Sequence, residues 1–202
     1  VDLYIKDNNE DTGKEPNLTT DVFWDSPSIW VRNKADGIEE HENPYYADDH
    51  LGVAVYVRVH NRGKKDYEGG KYLHMYWACA STGLTNKAWR GQEYYINGNI
   101  TGGHMTPILI KSIKAGESRI VCVSWSLPRD LYSEDNGTEK HHFCLLGQIY
   151  DEGNPELKGD YPAVKWSNDI AQKNVSIISK KDLSKGTNVF VRNIYKGNHK
   201  YS

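Results

Sequence analysis

The run Leu51–Asn61, LGVAVYVRVHN, constrains this chain more than any other stretch. Val53, Val55, Val57 and Val59 alternate with Ala54, Tyr56, Arg58 and His60. Successive side chains of a strand point to opposite faces, so this alternation gathers the four valines on one side of an extended segment. A helix would scatter the same valines over two sides. A strand with one apolar face needs a sheet around it and a second layer against it.

The rest of the chain supplies further strand patterns. VDLYI opens it, and PSIWVRN follows a proline. After the valine strand come KYLHMYWACAS, MTPILIKSI, SRIVCVSWSL and HHFCLLGQIYD, and later VSIIS and NVFVRNIY. Turn formers separate them: Asn61-Arg62-Gly63-Lys64, Glu68-Gly69-Gly70, Asn97-Gly98-Asn99, Lys114-Ala115-Gly116-Glu117, Asp135-Asn136-Gly137 and Glu152-Gly153-Asn154-Pro155. No long segment repeats apolar residues at helical spacing, and the one short helical pattern is Ser167–Gln172. Many strands joined by turns, without interleaved helices, predict an all-β, immunoglobulin-like antiparallel β-sandwich with long loops rather than a parallel sheet. Trp30, Trp77 and Trp125 lie inside strand patterns and are expected in the core.

The expected sandwich covers residues 1–178. Residues 179–202 read as a polar linker, Ser179–Thr187, followed by the strand Asn188–Tyr195. That strand either starts a following domain or closes this one at its edge. The first residues already carry a strand pattern, so the chain reads as a mature form or an excised piece.

Composition excludes some functions. The formal charge of −2 argues against a nucleic-acid binder with a broad basic surface. No apolar run approaches the roughly 20 residues that span a bilayer as a helix. Cys79, Cys122 and Cys144 all lie in apolar runs and are expected as buried thiols, with one cross-strand disulfide as the alternative. Their odd number and lack of CxxC spacing do not form a zinc site.

Three stretches taken together, VAVYVRVHNRG, YLHMYWACAST and IKAGESRIVCVSWSLP, resemble the CARDB-like group of bacterial extracellular immunoglobulin-like domains. In that group a strand ending in Asn-x-Gly precedes a strand of Leu-x-x-Tyr type, and a glycine-turned hairpin leads into an alternating strand. The resemblance runs from about Leu51 to Pro128. IKDNNEDTGKEP, SPSIWVRN, HENPYY, HHFCLLGQI and NDIAQKNVSII are similar to a narrower set of bacterial surface modules. The resemblance implies a non-catalytic accessory, adhesion or docking module of a larger secreted or surface bacterial protein, located extracellularly or at the cell surface. Its partners would be neighbouring domains of the parent protein, a glycan or a surface protein. The chain departs from a plain member in its long loops, Ser81–Met105 and Arg129–His142.

Four groups of residues are candidates for chemistry. In DNNEDTG, Asp7, Asn9 and Asp11 have the 1-3-5 spacing of oxygen ligands in a calcium loop. Glycine falls at position 7 rather than 6, and position 12 is Leu18, so a turn with Asx-type hydrogen bonds explains the same letters. Calcium is the one cofactor these letters offer. His41 stands among acids in EEHENP, and His141 and His142 are adjacent, hence on opposite strand faces. With no HExxH and no G-x-S-x-G, neither a metalloprotease nor a serine nucleophile is readable, and an enzyme domain is the weakest reading. The aromatics of the 86–97 loop are the candidate binding residues. Trp89, Tyr94 and Tyr95 could stack on the flat C–H face of a sugar, with Arg90 beside them. That makes a carbohydrate-binding module the alternative function. The opposing reading folds Trp89 back over the sandwich edge.

Overall fold

A computed structural model describes residues 1–179 apart from 20–21, 48, 51, 81–82, 94–97, 99, 129–141, 154–156 and 158–163. The described chain is an antiparallel β-sandwich. Its strands are β1 (Leu3–Tyr4), β2 (Ile29–Arg32), β3 (Tyr45–Tyr46), β4 (Gly52–Asn61), β5 (Tyr72–Cys79), β6 (Gly102–His104), β7 (Ile108–Leu109), β8 (Ser118–Ser126), β9 (His142–Tyr150), β10 (Ile170–Ser176) and β11 (Ile178–Ser179). One four-residue helix, α1 (Asn86–Trp89), interrupts them. No helix among the described residues is long and apolar enough to cross a membrane.

Two sheets form the layers. Sheet A is built on β4, with β8 along one edge and β2 and then β1 along the other. Sheet B runs β10-β9-β5, and β6 and β7 share the far edge of β5. A short parallel pair, β11 with β3, stands apart. Residues 24–26 lie along β10 in sheet B, with Ser26 N–H donating to the Gln172 carbonyl. Two residues beyond Pro27 the chain enters β2 in sheet A. This segment is one of several that carry the chain between the two layers.

The valine alternation does what it predicts. Val53, Val55, Val57 and Val59 are buried between the sheets, opposite Leu73, Met75, Leu145 and Ile149. Burying each such side chain is worth about 1.5–3 kcal/mol. Gly147 sits among them on β9, where an added Cβ would come within 3.1 Å of the Met75 sulfur and 3.4 Å of the Ile5 Cδ1. Trp125 completes this interior and Trp77 packs against it, as expected.

Several expectations are corrected. Ser167–Gln172 is not helical. Part of it is the start of β10, where Ala171 and Val175 point into the core and Ile170 is buried on the other face. Burial on both faces hides the period-2 pattern. Trp30 is buried, but with Tyr56 and Ala54 on the outer side of sheet A rather than between the sheets. Cys122 is exposed, because the inward residues of β8 are Val121, Val123 and Trp125. Cys79 and Cys144 are buried, and no disulfide joins the three. MTPILIKSI yields only the two-residue β7, just after Pro107, which has no N–H to donate. The last described strand, β11, ends at Ser179 and pairs with β3 outside the two main sheets. Residues 180–202, including the strand pattern Asn188–Tyr195, lie outside the described residues, as does most of the loop Arg129–His142.

Candidate functional site

The acidic opening loop closes on itself. Asp11 accepts from the backbone N–H of Asp7 (3.0 Å) through one oxygen and of Gly13 (2.7 Å) through the other. Asp7 accepts from the Asn17 amide at 3.1 Å through Oδ2, while its buried Oδ1 has no partner. Burial pushes the Asp7 carboxyl up to about 7, the Asn17 bond opposing and the Asp11 charge adding. Asn9 faces solvent, so the loop brings Asp7 and Asp11 together and leaves the third residue of the 1-3-5 set outside. His41 accepts at Nδ1 from the Val31 N–H at 3.2 Å, fixing residues 41–42 along β2. Among the described residues no three His, Cys, Asp or Glu side chains are grouped to hold a metal ion.

Trp89 is not placed as a stacking platform. Thr85 caps α1 by accepting from the Ala88 N–H at 3.2 Å, and the helix lays Ala88 and Trp89 against the outer side of sheet B. Trp89 is 0% exposed and offers no face to a sugar. The close seat of α1 requires Gly102, where an added Cβ would fall 1.9 Å from the Ala88 carbonyl oxygen. Arg90, half-buried, has a partner of its own. Tyr94 and Tyr95 lie outside the described residues.

Trp89 belongs to a second apolar layer on the outer face of sheet B, with Tyr76, Ala78, Cys144, Leu146, Leu157, Val164 and Ile170. The layer covers one end of the face. At the other end, strand register lays out a row across three strands: Leu109 opposite Tyr72, and Tyr72 opposite Tyr150. Tyr150 is 41% and Leu109 49% exposed, and Tyr72 is half-buried. The next row pairs His74 with Gln148, and the next places Tyr76 between His104 and Leu146.

Between open row and covered end stands a short column of rings. His104 stacks on Tyr76 with centroids 4.4 Å apart, and lies against His74 at 5.3 Å. His74 Nδ1 and His104 Nε2 are 3.2 Å apart and share a proton. His104 faces solvent, whereas His74 and Tyr76 beneath it are each 1% exposed. Desolvation where its ring packs on Tyr76 and His74 pushes the His104 imidazole down to about 4, with the His74 ring and Arg90 adding, and burial lowers His74. Both rings are therefore neutral near pH 7. Burial raises the Tyr76 phenol to about 12.

Unanswered polar atoms concentrate in this layer. Among the described residues eight buried side-chain atoms lack a hydrogen-bond partner, and five belong here: His74 Nε2, Tyr76 Oη, Gln148 Oε1, Asn86 Oδ1 and Trp89 Nε1. Each such atom costs about 1–3 kcal/mol when left dry, and these five lie in or next to the one layer. Sequence reading missed these residues. The signal was there in KYLHMYWACAS: Tyr72, His74, Tyr76 and Ala78 occupy one face by the same alternation that placed Leu73 and Met75 inside.

No family model matches the chain, and no curated protein matches it. Among solved structures it is similar to a CARDB domain from Pyrococcus furiosus in complex with di-metal ions, at 11% identity over 76% of this chain and 93% of that one, TM-score 0.37. The solution NMR structure of that CARDB domain is similar at 12% identity over 75% and 93%, TM-score 0.35. A β-glucosidase from Erythrobacter marinus is similar at 11% identity over 75% of this chain and 15% of its own, TM-score 0.38. The two CARDB structures are of the group that the sequence resembles.

Proposed function

We propose that this chain is a non-catalytic accessory module that gives a larger secreted or surface bacterial protein a docking or adhesion surface. The observation that carries this reading is the open end of sheet B, where Tyr72, Leu109 and Tyr150 present a neutral, partly apolar row to solvent. Elsewhere the polar side chains hold the backbone. Asn61 donates to the carbonyls of Lys65 and Ile113, Asn33 to that of Asn43, and Ser26 to that of Lys6. Such a surface recognises by contact area rather than by bond-breaking chemistry. The sequence resemblance supports the placement in a larger extracellular protein.

The test uses the chain fused to a fluorescent reporter. It should sediment with bacterial envelope material more than the reporter alone. The purified chain should leave chromogenic glycosides, esters, phosphoesters and peptides unturned. Turnover that His74→Ala abolishes would overturn the reading.

A further inference from the structure

We infer that the open end of the outer face of sheet B, formed by Tyr72, His74, His104, Gln148 and Tyr150, binds a neutral saccharide. The inference rests on the accessory-module reading and names the ligand class of its docking surface.

Three observations select that class. The first is shape. Tyr72, Tyr150 and Leu109 lie side by side on β5, β9 and β7, and three strands at their usual spacing span about 10 Å. This is a strip of two phenol rings and one aliphatic side chain, wide enough for one or two pyranose units. The second is charge. His74 and His104 are held neutral by desolvation, and Lys71 at the rim is paired with Asp151 at 3.3 Å. The row of Tyr72, Leu109 and Tyr150 itself carries no charged side chain.

The third is hydrogen bonding. A saccharide hydroxyl both donates and accepts, and the face offers both needs next to the strip. Gln148 Oε1 is a buried acceptor beside the strip, and Tyr76 Oη is buried with no partner among the described residues. His104 uses Nε2 on His74, which leaves Nδ1 for a ligand. A peptide docking as an added strand would need an open edge of β5. β6 and β7 occupy that edge, so β5 itself is reached only through its face.

The test is affinity electrophoresis of the purified chain against neutral polysaccharides (glucan, mannan, xylan and chitin types), followed by calorimetry with oligosaccharides of any that retards it. At least one should retard the chain. Tyr150→Ala should weaken binding about tenfold, Tyr150→Phe should retain it, and Ile120→Ala on sheet A should change nothing. Tyr150 is partly exposed, so its variants should melt as the parent does. Failure of every neutral polysaccharide to bind would overturn the inference. So would binding unaffected by Tyr150→Ala, or binding confined to charged polymers and lost in salt. Release of reducing ends from a bound polysaccharide would instead overturn the non-catalytic reading while leaving the site in place.

Discussion

Over sheet A, residues 33–43 fold down on Trp30 and Tyr56, and the polar tips meet partners. The Trp30 indole donates to the Ile38 carbonyl at 2.9 Å, and the Gly37 N–H donates to the Tyr56 hydroxyl at 2.9 Å. The rings stack at 5.5 Å, Arg58 lies 5.9 Å over Trp30 and pairs with Glu39, and Arg32 pairs with Asp36 at 3.0 Å. Over sheet B, α1 and residues around Leu157 and Val164 cover only part of the face, and the polar tips of Tyr76, His74, Gln148 and Trp89 are unanswered. Both outer faces carry buried aromatics. Over sheet A the polar tips of the buried aromatics are paired, although the outer side of β8 is open to solvent, whereas over sheet B Tyr76 Oη and Trp89 Nε1 have no partner among the described residues. That difference can be attacked at several points.

The largest effect is expected at Trp89. If the layer on sheet B is a true second core, Trp89→Ala should cost about 3–5 kcal/mol in denaturant unfolding, because the indole is wholly buried against Tyr76 and Leu146. A loss under about 1 kcal/mol would mean that α1 lifts from the sheet at no cost. The face would then be open along its length, and the contrast with sheet A would have to be redrawn.

The second prediction tests what an unanswered buried polar group costs away from either face. Asp7 has one dry oxygen and a carboxyl pushed up to about 7 from an ordinary 3.8. The folded state therefore holds a proton that the unfolded chain releases near pH 4. Its contribution is full below about pH 4 and falls as pH rises to about 7, by at most about 1.4 kcal/mol per pH unit. Asp7→Asn keeps a neutral group there, so its stability advantage over the parent should grow across that window. A constant difference from pH 4 to 8 would show that the carboxyl is ionised throughout. Millimolar calcium should leave the melting temperature of the parent unchanged, since Asp11 has both oxygens on backbone N–H groups and Asn9 points to solvent.

The legible part of this molecule was its periodicity. Val53–Val59 and the outward–inward alternation of β8 state which side faces the core, and the sandwich follows from them. Legibility failed where a segment is buried on both sides. Ile170, Ala171 and Val175 show no period-2 stripe because both faces of β10 are covered, so the segment read as helix. Trp89 misled for a related reason. Its neighbours Lys87, Arg90 and Gln92 are polar, as in an exposed loop, and the partner that buries it, Tyr76, is distant in sequence. The site was half-written. The face shared by Tyr72, His74 and Tyr76 is in the letters, but its pairing with Gln148, Tyr150 and His104 depends on which strands become neighbours.

The smallest and most direct test compares two tyrosines. Tyr56 and Tyr76 are both buried in strands next to a stacked ring, and they differ in what their hydroxyls meet. Tyr56 accepts the Gly37 N–H at 2.9 Å and so holds the loop over sheet A. Removing that oxygen in Tyr56→Phe leaves the N–H unanswered and should cost about 1 kcal/mol. Tyr76 keeps a buried hydroxyl with no partner. Tyr76→Phe removes a desolvated group and breaks no bond, so its stability should be unchanged or slightly higher. Because the substitution is the same in both places, differences in ring packing largely cancel, and what remains is the state of one oxygen on each face. If Tyr76→Phe costs as much as Tyr56→Phe, an ordered water or another group already satisfies the hydroxyl. The contrast between the two faces would then be smaller by that atom. If it costs nothing for stability yet weakens saccharide binding, the oxygen is unanswered in the free protein because it is kept for the ligand.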